Sequence, residues 1–205
     1  MEKHLRLIFL SLLLVLSVSA VQAQTAAQIL RQASAKVMKS GSVSAEFTYS
    51  GAGHNGAGSL TASGRKFKVS TPGFSAWYDG TNLWTYAVSS KETTLVHPSA
   101  SELAETNPLL YLSSAAGGNC SFAKGDGKVR RVITVTPKSR KEGYRSATVE
   151  LNGKTLLPSR ITVKSTDGST VSVNIRRITL GKALPASNFT YPKNKYPKIK
   201  IIDLR

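Results

Sequence analysis

The chain has 205 residues, with 28 Lys and Arg against 11 Asp and Glu, three His and a single Cys. One cysteine rules out an internal disulfide, so stability has to come from apolar burial and backbone pairing. A formal charge of +17 draws the protein toward anionic surfaces such as lipid headgroups or nucleic acid, although the basic residues are scattered and not gathered in one block.

Lys3 and Arg6 precede an apolar run from Leu7 to Val18, and Val21-Gln22-Ala23 offers small residues at a cleavage position. This pattern predicts a secretory signal peptide over residues 1–23, cut after Ala23. The run is too short to cross a membrane, which takes roughly 20 apolar residues. Residues 24–205 then make a mature chain of 182 residues. Removing Glu2, Lys3 and Arg6 leaves 26 basic and 10 acidic side chains. That length is expected to form one domain with a sizeable core.

Thr25-Ala26-Ala27-Gln28 has the form of a capping box, and Ile29, Leu30, Ala33 and Val37 recur at helical spacing, with Gly41 as the expected stop. From Val43 the period changes to two. Val43, Ala45, Phe47 and Tyr49 fall on one face and Ser44, Glu46, Thr48 and Ser50 on the other. Gly51-Ala52-Gly53-His54-Asn55-Gly56 matches G-x-G-x-x-G by letter. Strand-like residues follow it instead of a helix, so it is expected to be a hairpin loop and not a dinucleotide site. Leu60, Phe67 and Val69 continue the strands.

Two aromatic-rich segments then meet across Asp79-Gly80, with Trp77 and Tyr78 before the turn and Trp84 and Tyr86 after it. This reads as a β-hairpin. So much flat apolar surface is either packed in a core or lines a place where something greasy binds. Asn107-Pro108 opens a short apolar helix through Leu109, Leu110, Tyr111 and Leu112. Cys120, beside Gly117, Gly118 and Asn119, is expected in a loop. The second half returns to strands around Ile133 and Val135, then Ala147, Val149 and Leu151 before Asn152-Gly153. Ile161 and Val163 face Val171, Val173 and Ile175 across Asp167-Gly168. Roughly ten or eleven strands result, joined by hairpins without a βαβ rhythm. They predict a mainly β, α+β antiparallel sheet long enough to curl strongly or close.

Catalytic groups are sparse. His54 and His97 stand on expected loops without partners, and no nucleophile elbow or metal-ligand spacing occurs in the chain. No metal, no cofactor and no enzyme activity are expected.

These segments resemble the bacterial periplasmic lipoprotein carrier family LolA over most of the mature chain. The likeness rests on the capped first helix and on Ala45-Glu46-Phe47-Thr48. It extends through Asp79-Gly80-x-x-Leu83-Trp84-x-Tyr86, Asn107-Pro108-Leu109-Leu110, Val135-Thr136-Pro137-Lys138 and Asn188-Phe189-Thr190-Tyr191-Pro192, in that order. The resemblance implies a half-open, strongly curved antiparallel β-barrel with an N-terminal helix and short lid helices over a hydrophobic cavity. It implies a periplasmic, monomeric carrier that takes acyl chains of lipidated proteins from an inner-membrane lipoprotein-releasing transporter to an outer-membrane acceptor, with no nucleic-acid partner. The expected cavity residues are Phe47, Tyr49, Leu60, Phe67, Val69, Trp77, Trp84, Tyr86 and Ile133, with Leu109, Leu110 and Leu112 on the lid. The family ties its lid with an arginine in the early strands. Arg65 stands at about that place, with Lys66 where the family usually has proline. The alternative on the same fold is a module that senses lipids or lipoproteins, or that binds anionic envelope polymers.

Overall fold

The structure, a computed structural model, describes residues 24–51, 53–116, 118–139 and 143–205. The expected signal peptide lies outside the described residues. Helix α1 (Ala26–Lys39) starts where the capping box places it. The Thr25 hydroxyl accepts from the Gln28 amide at 3.2 Å, and the Gln28 side chain accepts from the Thr25 amide at 2.8 Å. It ends with Ser40 as its cap in extended conformation, one residue before the expected glycine stop. Its stripe of Ala26, Ile29, Leu30, Ala33 and Val37 is fully buried, which is what stabilises so short a helix in water.

Strands β1 (Ser42–Gly51), β2 (His54–Ser63), β3 (Lys66–Ser70), β4 (Phe74–Tyr78), β5 (Leu83–Ala87) and β6 (Glu92–Val96) follow as successive hairpins. The glycine-rich motif is the β1–β2 turn, as its spacing predicts. Next come a seven-residue helix α2 (Ala100–Thr106) and a 3-10 segment, Pro108–Ala116. Strands β7 (Gly118–Phe122), β8 (Arg130–Pro137), β9 (Tyr144–Asn152), β10 (Pro158–Ser165) and β11 (Thr170–Gly181) complete the second half, and β12 (Lys200–Asp203) closes the chain. Cys120 therefore lies in a strand, paired with Val135, and not in a loop.

Among the described residues all twelve strands belong to one sheet, in the order β12-β6-β5-β4-β3-β2-β1-β11-β10-β9-β8-β7. It is open, with β12 and β7 as its edges. Every pairing is antiparallel except β12 with β6, which is parallel. Laid flat, twelve strands at about 4.8 Å each would span ~55 Å. Yet one apolar cluster around α1 takes in Leu83 from β5 and Ile133 from β8. The sheet must curl around the helix for both to meet there. We call the face toward α1 the inner face.

The outer face near β3–β6 is covered by the chain's own C-terminal segment. Phe189 and Tyr191 are buried there, with Trp77 and Leu95 beneath. Tyr191 packs edge-on to Trp77 at 5.5 Å and stacks on Tyr196 at 5.6 Å, and Tyr86 lies 4.8 Å from Tyr196. The buried Thr93 hydroxyl donates to the Tyr191 oxygen at 3.2 Å.

Candidate functional site

Strand parity decides which side chains reach the inner face. Directly paired residues share a face. Tyr49 pairs with Val173 and Gly51 with Val171 across β1–β11, so the tips of the two halves of the sheet meet at Tyr49. On the other side of β1, Phe47 faces Gly58 and Tyr49 faces Gly56. A Cβ on Gly58 would lie 2.7 Å from the Phe47 ring and 2.8 Å from the Ser70 carbonyl oxygen. The glycine makes room for the ring to lie across β2.

Between these tips is a cavity of about 220 Å³. Phe47, Tyr49, Val69 and Phe74 form one wall, and Val163, Val171 and Val173 the other. Its roof is Ala104, Glu105 and Thr106 of α2 with Pro108 and Tyr111 of the 3-10 segment. The polar groups at the rim are mostly occupied. Thr71 exchanges hydrogen bonds with Phe74, its amide reaching the Phe74 carbonyl at 2.9 Å, and the Thr106 hydroxyl donates to the Glu102 carbonyl at 2.8 Å. The interior is thus apolar, with one carboxylate, Glu105, at its edge.

The two parts of the roof are held differently. Ser99 and Glu102 cap α2, the Ser99 amide donating to the Glu102 carboxylate at 2.7 Å, but no residue of α2 is buried. The 3-10 segment is anchored by Leu109, Tyr111 and Leu112. Buried Asn107 joins the two, its amide donating to the Leu103 carbonyl at 2.8 Å and its side chain accepting from the Leu109 amide at 3.1 Å. Tyr111 packs edge-on to Tyr144 at 5.1 Å. Burial first, then the nearby Glu105 and Tyr144, push the Tyr111 hydroxyl up to about 12, so it stays neutral.

Phe47, Tyr49 and Val69 line this cavity. Leu60, Phe67 and Ile133 share the inner face but lie deeper, in the core around α1. Trp77, Trp84 and Tyr86 do not reach it. Trp77 pairs with Trp84 and with Lys68, and Tyr86 with Ser75, on the outer face beneath the C-terminal tyrosines. Leu109 and Leu112 point into the core, whereas Leu110 lies half-buried in a shallow groove beside Met38. Arg65 stands exposed on the β2–β3 turn at that same groove, near Asn107 and Leu110. It makes no hydrogen bond or ion pair among the described residues, so nothing in its geometry ties the lid shut. Sequence reasoning missed Phe74, Val163, Val171, Val173 and Tyr111 as lining residues; the three valines reach the site through the β1–β11 pairing, which joins Tyr49 to Val173 across 124 residues.

Burial pushes the Cys120 thiol above its ordinary value, which makes it a poor nucleophile. Among the described residues, no group of three or more His, Cys, Asp or Glu could hold a metal ion.

Residues 16–168 match the family described as "Outer membrane lipoprotein carrier protein LolA". No curated protein sequence matches the chain significantly. An uncharacterized conserved protein from Thermus thermophilus superposes with a TM-score of 0.58 at 12% identity, covering 86% of this chain and 98% of that one. A LolA superfamily protein from Nitrosomonas europaea gives 0.47 at 13% identity, covering 82% and 99%. A putative outer membrane lipoprotein-sorting protein domain from Vibrio parahaemolyticus gives 0.48 at 13%, covering 84% and 98%. The Thermus structure speaks for the fold alone, and the other two superpose too loosely to add to it. With the family match extending over well more than half of its length, the chain belongs to the LolA family of outer-membrane lipoprotein carriers.

Proposed function

We propose that this protein is an exported, periplasmic carrier that shelters the acyl chains of lipoproteins beneath α2 and the 3-10 segment. The observation that carries this reading is the apolar cavity between Tyr49, Phe74 and Val171, roofed by a helix that buries none of its own residues. Family membership agrees with it, since the LolA-like fold serves binding and carriage. The partners would be lipidated proteins, a releasing transporter in the inner membrane and an acceptor in the outer membrane.

Energetics favour such a ligand. Burying about fifteen methylenes at ~0.8 kcal/mol each yields ~12 kcal/mol, which leaves micromolar binding after ~4 kcal/mol of association and ordering costs. An apolar lining grips without direction and needs no reactive group. At about 220 Å³ the cavity is smaller than the roughly 300–1,000 Å³ of ordinary ligand sites. A fatty chain therefore enters only when α2 swings away, and α2 is loosely enough held to move on its own about Asn107. Release is the reverse, toward an acceptor more apolar than the site, a shift of populations with no bond made or broken.

Native mass spectrometry of protein purified from its own host should show co-purifying lipidated mass. Phe74→Asp, at the half-buried rim, should lower affinity for a fluorescent fatty-acid probe at least tenfold while leaving the far-UV spectrum intact. Undiminished probe binding by this variant would remove the cavity from the account.

A further inference from the structure

We propose that the β7–β8 tip is a docking knob for an anionic lipid bilayer, a surface separate from the acyl cavity and independent of what that cavity holds. The tip presents Val129, 87% exposed, between Lys128 and Arg130. Phe122, 43% exposed, lies beneath the Arg131 guanidinium at 4.7 Å. Lys124 and Lys128 of the same loop and Lys154 of the neighbouring β9–β10 turn make no salt bridge among the described residues. The two nearby carboxylates are already engaged. Asp126 takes Arg131 in a bidentate grip at 2.9 and 3.0 Å, and Glu150 is shared by Arg130 at 3.4 Å and Arg160 at 3.5 Å.

The exposure of Val129 is imposed by a tied loop. Asp126 also accepts from the Val132 amide at 2.8 Å, and the Gly127 amide donates to the Arg130 carbonyl at 2.8 Å. The neighbouring β9–β10 turn braces the loop from the side, with the Gly153 amide donating to the Val129 carbonyl at 2.8 Å. Only glycine permits that approach, since a Cβ there would lie 1.9 Å from the Lys128 carbonyl oxygen. The chain thus holds an apolar side chain out into water on a loop that flanks it with Lys128 and Arg130. A convex point of this kind suits a deformable surface. A soluble polyanion would satisfy the lysines but offers nothing to the valine. A bilayer offers headgroup charge and, a few ångströms below it, an apolar layer.

The tip stands at the opposite end of β8–β10 from the cavity mouth. Arg130 pairs with Asn152 near the start of β10, whereas cavity residues Val163 and Ser165 stand at its far end. Eight residues of strand separate the two ends by about 26 Å. A molecule docked by Val129 therefore keeps its mouth clear of the surface and open to a protein partner.

The test is co-sedimentation of the full mature chain with vesicles containing phosphatidylglycerol, and in parallel with phosphatidylcholine alone. Wild type should bind the first and not the second. Val129→Asp should weaken binding roughly tenfold or more, and Lys128→Glu by a similar factor. Val88→Asp alters another exposed valine, 46% exposed on the β5–β6 turn at the mouth end, and should change nothing. Circular dichroism and fatty-acid probe uptake should be unaltered in all three, which separates this surface from the cavity. Full binding by Val129→Asp would overturn the proposal. So would loss on Val88→Asp, or a soluble polyanion whose binding falls on Val129→Asp as much as the vesicle binding does.

Discussion

Two aromatic clusters lie on opposite faces of the same sheet, and they differ in what covers them. On the outer face, Trp77 and Tyr86 are roofed by Tyr191 and Tyr196, ring against ring at 4.8 to 6.0 Å, on a segment locked down by β12. On the inner face, Phe47, Tyr49 and Phe74 are covered by α2, which buries nothing of its own. Aromatic density therefore does not mark the site. The cluster that interlocks with its cover is structure, and the cluster under a lightly held cover has room left for a guest.

The sharpest way to break this contrast is Trp77→Ala. Truncating a buried Trp should cost about 3–5 kcal/mol, read from urea unfolding, while probe affinity per folded molecule stays within about twofold. Weakened affinity with unchanged stability would reverse the roles assigned to the two faces. Next in size is Gly58→Val. Its added atoms press on the Phe47 ring and on a backbone carbonyl, so it should destabilise by roughly 1–3 kcal/mol and also lower probe affinity several-fold. A variant as stable and as tight as wild type would mean that Phe47 has slack the geometry does not show.

The smallest effect concerns the roof. Burial holds Tyr111 at about 12 in the folded protein, against 10.0 for an exposed tyrosine. Its contribution to stability is complete below pH 10 and is lost as pH rises toward about 12, because the unfolded chain ionises first. Stability to urea should fall across that window, and Tyr111→Phe should flatten the fall. An equal fall in that variant would assign the effect to another group.

Much of the architecture is legible in residue order. The Thr25–Gln28 capping box, the turns at Asp79-Gly80 and Asp167-Gly168, and the alternation in β1 each follow from local chemistry. Ser99 and Glu102 form a second capping box, a local signal as plain as the first, which the reading of the sequence passed over. Local chemistry does not show that β12 joins β6 in parallel. Above all, period two says which residues share a face but not which face is inner. Bulk and alternation look alike on both sides, so they place the tryptophans in the cavity as readily as outside it. Only the C-terminal tyrosines, more than a hundred residues away, settle their side of the sheet.

The central claim is that α2 must move for a fatty chain to enter. A Cβ built on Gly143 lies 3.6 Å from that of Ser101 on α2, within the ~3.5–4.5 Å span of a disulfide. Ser101→Cys with Gly143→Cys, in a Cys120→Ser background, should therefore clamp the lid when oxidised, at the cost of some strain at position 143, where φ is +78°. The oxidised form should lose fatty-acid uptake at least tenfold and regain it on reduction. Equal uptake by the oxidised and reduced forms would contradict the claim.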